Sequence, residues 1–381
     1  MSPAGVTWLV VAILTVVLVG VLLAFVVRNT RTRPATEPFA AEPEDRPVAA
    51  VVVNPTKVDA DTREVVTALC VEAGWAEPLW LETTVEDPGP GQTADAVGRE
   101  VDVVMACGGD GTVRAVAEAL AGTGVALGLL PAGTGNLLAR TLECPLDLPT
   151  ATRVALSGDD RVIDIGRVRV DGGDEEHAFL VMAGTGFDAD VMGNTPEALK
   201  ARVGPLAYVF AGLRAMRGRR TRVTITLDGG PPLRRRSRTV LVGNSGTLLG
   251  GLVLMPEALV DDGVLDVVNL APKGIPGWIA VAARVISRRR RGHSRVEHWT
   301  AREVVIVAGD PQASQIDGDP IGDATEMRIR VDPGALVVRV PERSPAAEET
   351  PPGAPGVGPA RAHHRVTAFT PRGDHMIMEV A

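Results

Sequence analysis

Short apolar runs with few polar interruptions recur between residues 48 and 130. Residues 48–53 (VAAVVV), 101–106 (VDVVMA) and 125–130 (VALGLL) carry hydrophobic side chains at both parities, and 78–82 (PLWLE) is a shorter run of the same kind. A strand with one face in water alternates apolar with polar residues. A strand covered on both faces does not, so these runs predict strands in the middle layer of the fold. Between them, 60–73 sets Val65, Val66, Leu69 and Cys70 on one helical stripe, and 113–121 has helical spacing. Strand–helix alternation predicts a parallel, doubly wound sheet, which binds ligands at the carboxyl ends of its strands.

Two glycine-rich loops fall at those ends. Cys107-Gly108-Gly109-Asp110-Gly111-Thr112 follows the third run, and Pro131-Ala132-Gly133-Thr134-Gly135-Asn136 follows the fourth, each before a helix. Glycine lets backbone approach a phosphate without a side-chain clash, and the free N–H groups of a helix start favour an anion. Thr112 and Thr134 add hydroxyl donors. An aspartate between glycines repels phosphate unless a cation lies between them, so Asp110 suggests Mg²⁺. Either loop alone reads equally as a tight strand-to-helix turn. Two at adjacent strand ends, one carrying an acid, point to a nucleotide site.

The standard nucleotide signatures are absent. No GxxxxGK[ST] occurs, and no GxGxxG follows the first run with an acid about 20 residues later. Neither CxxC nor HExxH is present, and three cysteines (Cys70, Cys107, Cys144) are too few for a disulfide framework. With 39 basic against 47 acidic residues the net charge is −8, and aromatics are 3%. Both argue against nucleic acid as a partner.

The pair GGDGTVRAVAEAL and LLPAGTGNLLARTL resembles the catalytic domain of the diacylglycerol kinase family, which includes bacterial soluble-type lipid kinases and sphingosine and ceramide kinases. NAD kinases are more distant and share only the GGDGT element. The resemblance runs from about residue 48 to 341. It implies ATP as cofactor, with Gly108, Gly109, Asp110, Gly111 and Thr112 on the phosphates and Gly133, Thr134, Gly135 and Asn136 beside them. In 84–92 (TVEDPGPGQ) Thr84 matches the family's third nucleotide segment, and Asn54 matches its Asn after the first strand.

From about residue 166 the pattern becomes strand-rich. Segments 167–171, 178–183, 222–228, 239–243, 264–270, 303–308, 326–331 and 335–340 are apolar or alternating, and 197–217 has helical spacing. This predicts a sandwich, and the resemblance implies a β-sandwich second domain with the active cleft between the two. Gly184 to Asp188 resembles the family's GxGFDA element, and Gly243-Asn244 its strand-end pair. Residues 259–266 (LVDDGVLD) resemble its metal loop, which implies Asp262 as a carboxylate ligand with the carbonyls of Leu259 and Val264; a simple Asp-Asp-Gly turn reads nearly as well. In 316–320 (Ile-Asp-Gly-Asp-Pro) Asp319 stands where the family has its glutamate base, one methylene shorter. Leu137 and Arg114 are further departures, at an Asp and an Asn position of the family. Arg114 is free to contact phosphate or to face solvent.

The ends read differently. Residues 6–27 (VTWLVVAILTVVLVGVLLAFVV) carry no charge, and at about 1.5 Å per residue they reach roughly 33 Å, a bilayer's hydrocarbon width. Arg28, Arg31 and Arg33 follow, which predicts a single-pass anchor with the catalytic domains cytoplasmic. The expected organisation is an anchor over 1–27, a linker over 28–47, an ATP-binding α/β domain over 48–165, a β-sandwich substrate and metal domain over 166–341, and a disordered tail over 342–381. Nine arginines in 214–238 and the run RVISRRRRGHSR at 284–295 read as solvated charge or as a face for anionic headgroups of a membrane. The expected activity is ATP- and Mg²⁺-dependent phosphorylation of diacylglycerol to phosphatidic acid, with Asp110 and Asp319 catalytic. A kinase for another lipid or an NAD-like acceptor, or a catalytically dead nucleotide- or lipid-binding module, is the alternative.

Overall fold

The computed structural model of the chain describes residues 46–186, 220–246, 254–272 and 296–342. Its first lobe is built on β1 (Ala49–Val53), β2 (Leu79–Glu82), β3 (Val103–Gly108) and β4 (Ala126–Pro131), parallel and in the spatial order β2-β1-β3-β4. All five residues of β1 and all six of β3 are buried, as their unbroken apolar runs require. On one face, Ala49, Val51 and Val53 join a core with Val66 and Cys70 of α1 (Ala60–Glu72) and Ala151 and Ala155 of α5 (Leu148–Ser157). On the other face, Ala50 and Val52 meet Ala96 of α2 (Pro90–Gly98) and Val113, Val116 and Leu120 of α3 (Asp110–Leu120). The short helix α4 (Leu137–Thr141) follows the second glycine-rich loop.

The second lobe is strand-built: β5 (Asp159–Val170), β6 (Glu176–Phe179), β7 (Met182–Thr185), β8 (Thr221–Leu227), β9 (Leu233–Ser237), β10 (Thr239–Gly243), β11 (Leu265–Leu270), β12 (Val296–Ala301), β13 (Glu303–Ile316) and β14 (Asp319–Val340). A core containing Phe179, Ile225, Val242, Val267, Ile306 and Ile329 fills the sandwich. Long β13 pairs with β14 along one edge and serves two neighbours along the other. Val304–Ala308 pair with β8, and Ser314–Ile316 pair with β7, with a register shift between Val307 and Gln312. Such irregularities let one strand turn between packed sheets. Strand β14 pairs with β5 along most of its length, and Val338 meets Leu127 of β4, so the hydrogen-bonded network runs from one lobe into the other.

Two expectations need correction. No helix among the described residues is long and apolar enough to cross a membrane, so the described fold is α/β lobe plus β-sandwich without a transmembrane element, and the single-pass placement falls with it. The segment 6–27 on which that expectation rested lies outside the described residues, as do most of the 28–47 linker, Phe187 and Asp188, the helix over 197–217, the 284–295 cluster and all but the first residue of the 342–381 tail.

Candidate active site

Asn54, Thr84 and the two glycine-rich segments lie at the carboxyl ends of β1, β2, β3 and β4. Asn54 follows β1; its backbone N–H donates to the Cys107 carbonyl (3.1 Å), and its Oδ1 accepts from the N–H and hydroxyl of Thr56. Thr84 follows β2 and closes its own turn, its Oγ1 accepting from the Asp87 N–H at 3.0 Å. Residues 108–112 follow β3, and 133–136 follow β4. Helix α3 begins at Asp110, capped by Gly109, so Asp110, Gly111 and Thr112 form its first turn rather than a loop before it.

The two glycine-rich segments touch. Ala132 N–H donates to the Gly108 carbonyl at 3.0 Å. A Cβ on Gly133 would lie 2.7 Å from the Gly109 Cα, and one on Gly108 would lie 2.6 Å from the Thr112 side chain, so neither position admits a larger residue without displacement. Asn136 adopts φ 48° and braces its own turn: its Oδ1 accepts from the Gly133 N–H (3.1 Å) and its Nδ2 donates to the Gly133 carbonyl (2.9 Å).

Asp110 fastens the segments together. Its Oδ2 accepts from the Asn136 N–H at 3.0 Å and its Oδ1 from the Leu137 N–H at 2.6 Å. Burial is the largest influence on this carboxyl and pushes its pKa up. The two amides pull it back, and the nearby Asp319 pushes it up again, with a net rise. Leu137 is buried and contributes its amide here rather than a side-chain charge. Cys107, just before the first segment, is buried and its thiol is pushed up to about 11 by burial, so it stays protonated and is no nucleophile at neutral pH.

The second lobe brings Asp319 to this place. A Cβ on Gly111 would lie 3.4 Å from Asp319 Oδ2. Arg114, on α3, donates through Nη2 to the same oxygen at 2.8 Å and through Nη1 to the Ile316 carbonyl at 3.2 Å. The Arg114 side chain is 18% exposed and that of Asp319 53%, so the arginine is packed into the lobe junction while the acid faces open space. The turn carrying Asp319 is pinned by Asp317, a buried residue whose carboxylate accepts from the Leu180, Val181 and Met182 N–H groups, each at 2.9 Å. Burial dominates the Asp317 carboxyl and pushes its pKa up against those three donors.

Leu259, Asp262 and Val264 lie apart from these contacts, in the turn before β11. Among the described residues Asp262 accepts only from the Val264 N–H (3.2 Å), and its carboxyl is pushed up by partial burial and by the charges of Asp266 and Asp164. Asp164 is buried and holds the turn from beneath, accepting from Gly263 N–H (2.7 Å) and Gly334 N–H (2.8 Å). Among the described residues no three His, Cys, Asp or Glu side chains converge on one ion position.

Two family models cover most of this architecture: the diacylglycerol kinase catalytic domain over residues 48–168, and the YegS C-terminal NAD kinase beta sandwich-like domain over 181–340. A protein of Pseudomonas aeruginosa named probable lipid kinase YegS-like is 34% identical over 306 residues, spanning 77% of this chain and 94% of that one. The chain belongs to the YegS-like lipid kinase family. A Klebsiella pneumoniae protein of the same name is 31% identical over 254 residues, 66% of this chain and 82% of that one. The solved structure of a diacylglycerol kinase from Bacillus anthracis superposes with a TM-score of 0.59 at 22% identity, over 78% of this chain and 97% of that chain, a likeness of fold.

Within this YegS-like chain, sequence reasoning missed the roles of Asp317 and Asp164 and the pairing of Arg114 with Asp319. Asp317 lies two positions from Asp319 in the same Ile-Asp-Gly-Asp-Pro turn, and its φ of 48° is a turn signal that Asp and Asn tolerate. No local pattern announces the other two.

Proposed function

We propose that this chain transfers the γ-phosphoryl group of ATP to the free hydroxyl of diacylglycerol, releasing ADP and phosphatidic acid. The observation that carries this reading is the meeting of the glycine-rich pair with Asp319 of the second lobe, against Gly111. Phosphoryl transfer asks the protein chiefly for positioning and charge neutralisation. The Gly108–Thr112 and Gly133–Asn136 segments offer backbone N–H groups at closely apposed turns, with the α3 amino terminus behind them. Asn54 and Thr84, at the neighbouring strand ends, flank the nucleotide. The acceptor oxygen bonds to the γ-phosphorus as the bond to the β-phosphate oxygen breaks, and Asp319 takes the hydroxyl proton. Arg114 is a positioning residue that holds Asp319 through its Oδ2.

The residues fit a divalent cation in two places. Asp110 and Asp319 repel one another beside the glycine-rich segments, a charge excess that a bound Mg²⁺ would relieve. Asp262, crowded by Asp266 and Asp164, would hold such a cation together with the carbonyls of Leu259 and Val264, oxygen ligands suited to a hard ion. When bound, Mg²⁺ neutralises charge on the transferring phosphoryl group.

The test is transfer from γ-labelled ATP, with Mg²⁺, to diacylglycerol in mixed micelles and, in parallel, to a total bacterial lipid extract. Labelled phosphatidic acid is the expected product. Label on a different lipid replaces the acceptor, and no labelled lipid from protein that binds ATP contradicts the kinase reading itself.

A further inference from the structure

The hairpin β8–β9 forms an edge of the second lobe, with β9 hydrogen-bonded to β8 alone among the described residues. Strand alternation sorts its side chains. Val223 and Ile225 point into the core and Leu233 packs against it. Arg235 shares that face and is neutralised, its Nε lying 2.8 Å from both Glu297 oxygens and its guanidinium 5.9 Å from the Trp299 ring. The opposite face is treated differently. Arg222, Arg234 and Arg236 are all exposed, and the register sets Arg222 directly across from Arg236 and Arg234 across from Thr224. Arg220 adds a fourth guanidinium, donating to the Arg236 carbonyl. Among the described residues none of these four meets a carboxylate.

Like charges facing each other across an antiparallel pair destabilise it. In a chain with net charge −8 the fold leaves these guanidinium groups uncompensated on one ribbon face, while it neutralises the arginine on the other face. Planar guanidinium groups match phosphate oxygens in fork geometry. The outward face shows arginine and threonine with no aromatic ring, so it has nothing on which nucleic-acid bases could stack.

We propose that the Arg222–Arg234–Arg236 face of this ribbon docks on the anionic phospholipid headgroups of the bilayer that carries the acceptor lipid. The identity of that acceptor rests on the proposed function; the docking surface does not. The ribbon meets β13 at Val304–Ala308, whereas Asp319 follows Ile316. At about 3.3 Å per residue the eight residues between span at most roughly 26 Å of strand, and none of the four arginines is among the contacts of Asp319, so docking sets residence at the surface and leaves the chemistry alone.

The experiment compares the full chain with the triple variant Arg222→Gln, Arg234→Gln, Arg236→Gln. Both are partitioned onto phosphatidylcholine vesicles with and without phosphatidylglycerol. The quantity read is the ratio of the two partition coefficients, in which any affinity shared by both vesicle types cancels. The wild-type ratio is expected to exceed one and to collapse in high salt. The variant should lose about fivefold of that ratio for each arginine replaced. Hydrogen exchange over 221–237 should slow on the anionic vesicles in wild type only. A wild-type ratio of one, or an unchanged ratio in a folded variant, overturns the proposal and leaves the arginines as edge-strand protection. Ribbon-dependent retention of single-stranded RNA without a vesicle effect overturns it in favour of nucleic acid. Turnover of dioctanoylglycerol in neutral detergent should be the same in both proteins; its absence from both counts against the acceptor, not against the docking face.

Discussion

Asp319 and Arg114 stand 205 residues apart in the chain and share a 2.8 Å ion pair. The Oδ2 of Asp319 is held by a guanidinium that is itself anchored on the Ile316 carbonyl. Arg114→Ala should therefore lower kcat by about tenfold to a hundredfold through misplacement of Asp319, with little change in the KM for ATP. Steady-state kinetics at saturating acceptor separates the two parameters. Asp110 makes a different demand. Both of its oxygens accept backbone N–H groups, so Asp110→Asn turns one NH₂ against an amide donor. The expected cost is about 1–3 kcal/mol, seen as a lower thermal midpoint together with weakened ATP binding. A variant with the wild-type midpoint and wild-type ATP affinity would mean that the bridge between the segments is dispensable.

At the level of elements, close approach decides what the glycine-rich segments tolerate. Gly133→Ala places a methyl 2.7 Å from the Gly109 Cα and 3.0 Å from Asn136 Oδ1. It should splay the two segments and weaken ATP binding at least about tenfold, while circular dichroism stays native. Gly98→Ala, with nothing within 4 Å of the new methyl, is the matched control and should leave binding unchanged. The same elements show why much of the first lobe was legible in sequence. The runs at 48–53, 78–82, 101–106 and 125–130 correspond to β1, β2, β3 and β4 within about two residues at each end, because burial on both faces leaves an uninterrupted apolar signature. The helix expected over 113–121 begins three residues earlier, because glycine at 109 caps it and the turn residues join it. Helix α2 went unread: Pro-Gly-Gln-Thr opens it with turn-like residues. Strands β9 and β12 went unread because edge strands carry arginine, glutamate and histidine in place of an apolar run. The segments 326–331 and 335–340 belong to a single strand, whose irregularity at Asp332 to Leu336 resembles a turn. The Arg114–Asp319 pair is tertiary, and nothing near either residue in the chain encodes it.

Across the whole molecule, carboxylates act as fasteners between distant segments. Asp317 joins the β13–β14 turn to residues 180–182, Asp164 joins the Asp262 turn to Gly334, and Asp59 and Asp147 cap α1 and α5 by accepting from the Thr62 and Thr150 N–H groups. Hydrogen bonds from Thr62 and Thr150 hold the Asp59 and Asp147 carboxyls below the usual range. A depressed folded-state pKa contributes stability above the unfolded-state value, and that contribution is lost as pH falls through the folded-state value. Asp59→Ala combined with Asp147→Ala should therefore lower the thermal midpoint at pH 7 and shrink the difference in midpoint between pH 7 and pH 3. An unchanged difference would show that the caps do not titrate with folding. The raised carboxyls Asp110 and Asp317 work in the opposite sense, favouring the folded state below the unfolded-state value and losing that contribution as pH rises through the folded-state one.

The central claim is that two glycine-rich segments of one lobe and one carboxylate of the other form a single phosphoryl-transfer site. Asp319→Ala tests it most directly, with ATP binding measured by calorimetry and label transfer from ATP to diacylglycerol measured on the same preparation. ATP affinity is expected to stay within about twofold of wild type while kcat falls by about 10²–10⁴-fold, the usual worth of a positioned general base. Undiminished transfer by that variant would contradict the claim and remove the second lobe's acid from the chemistry.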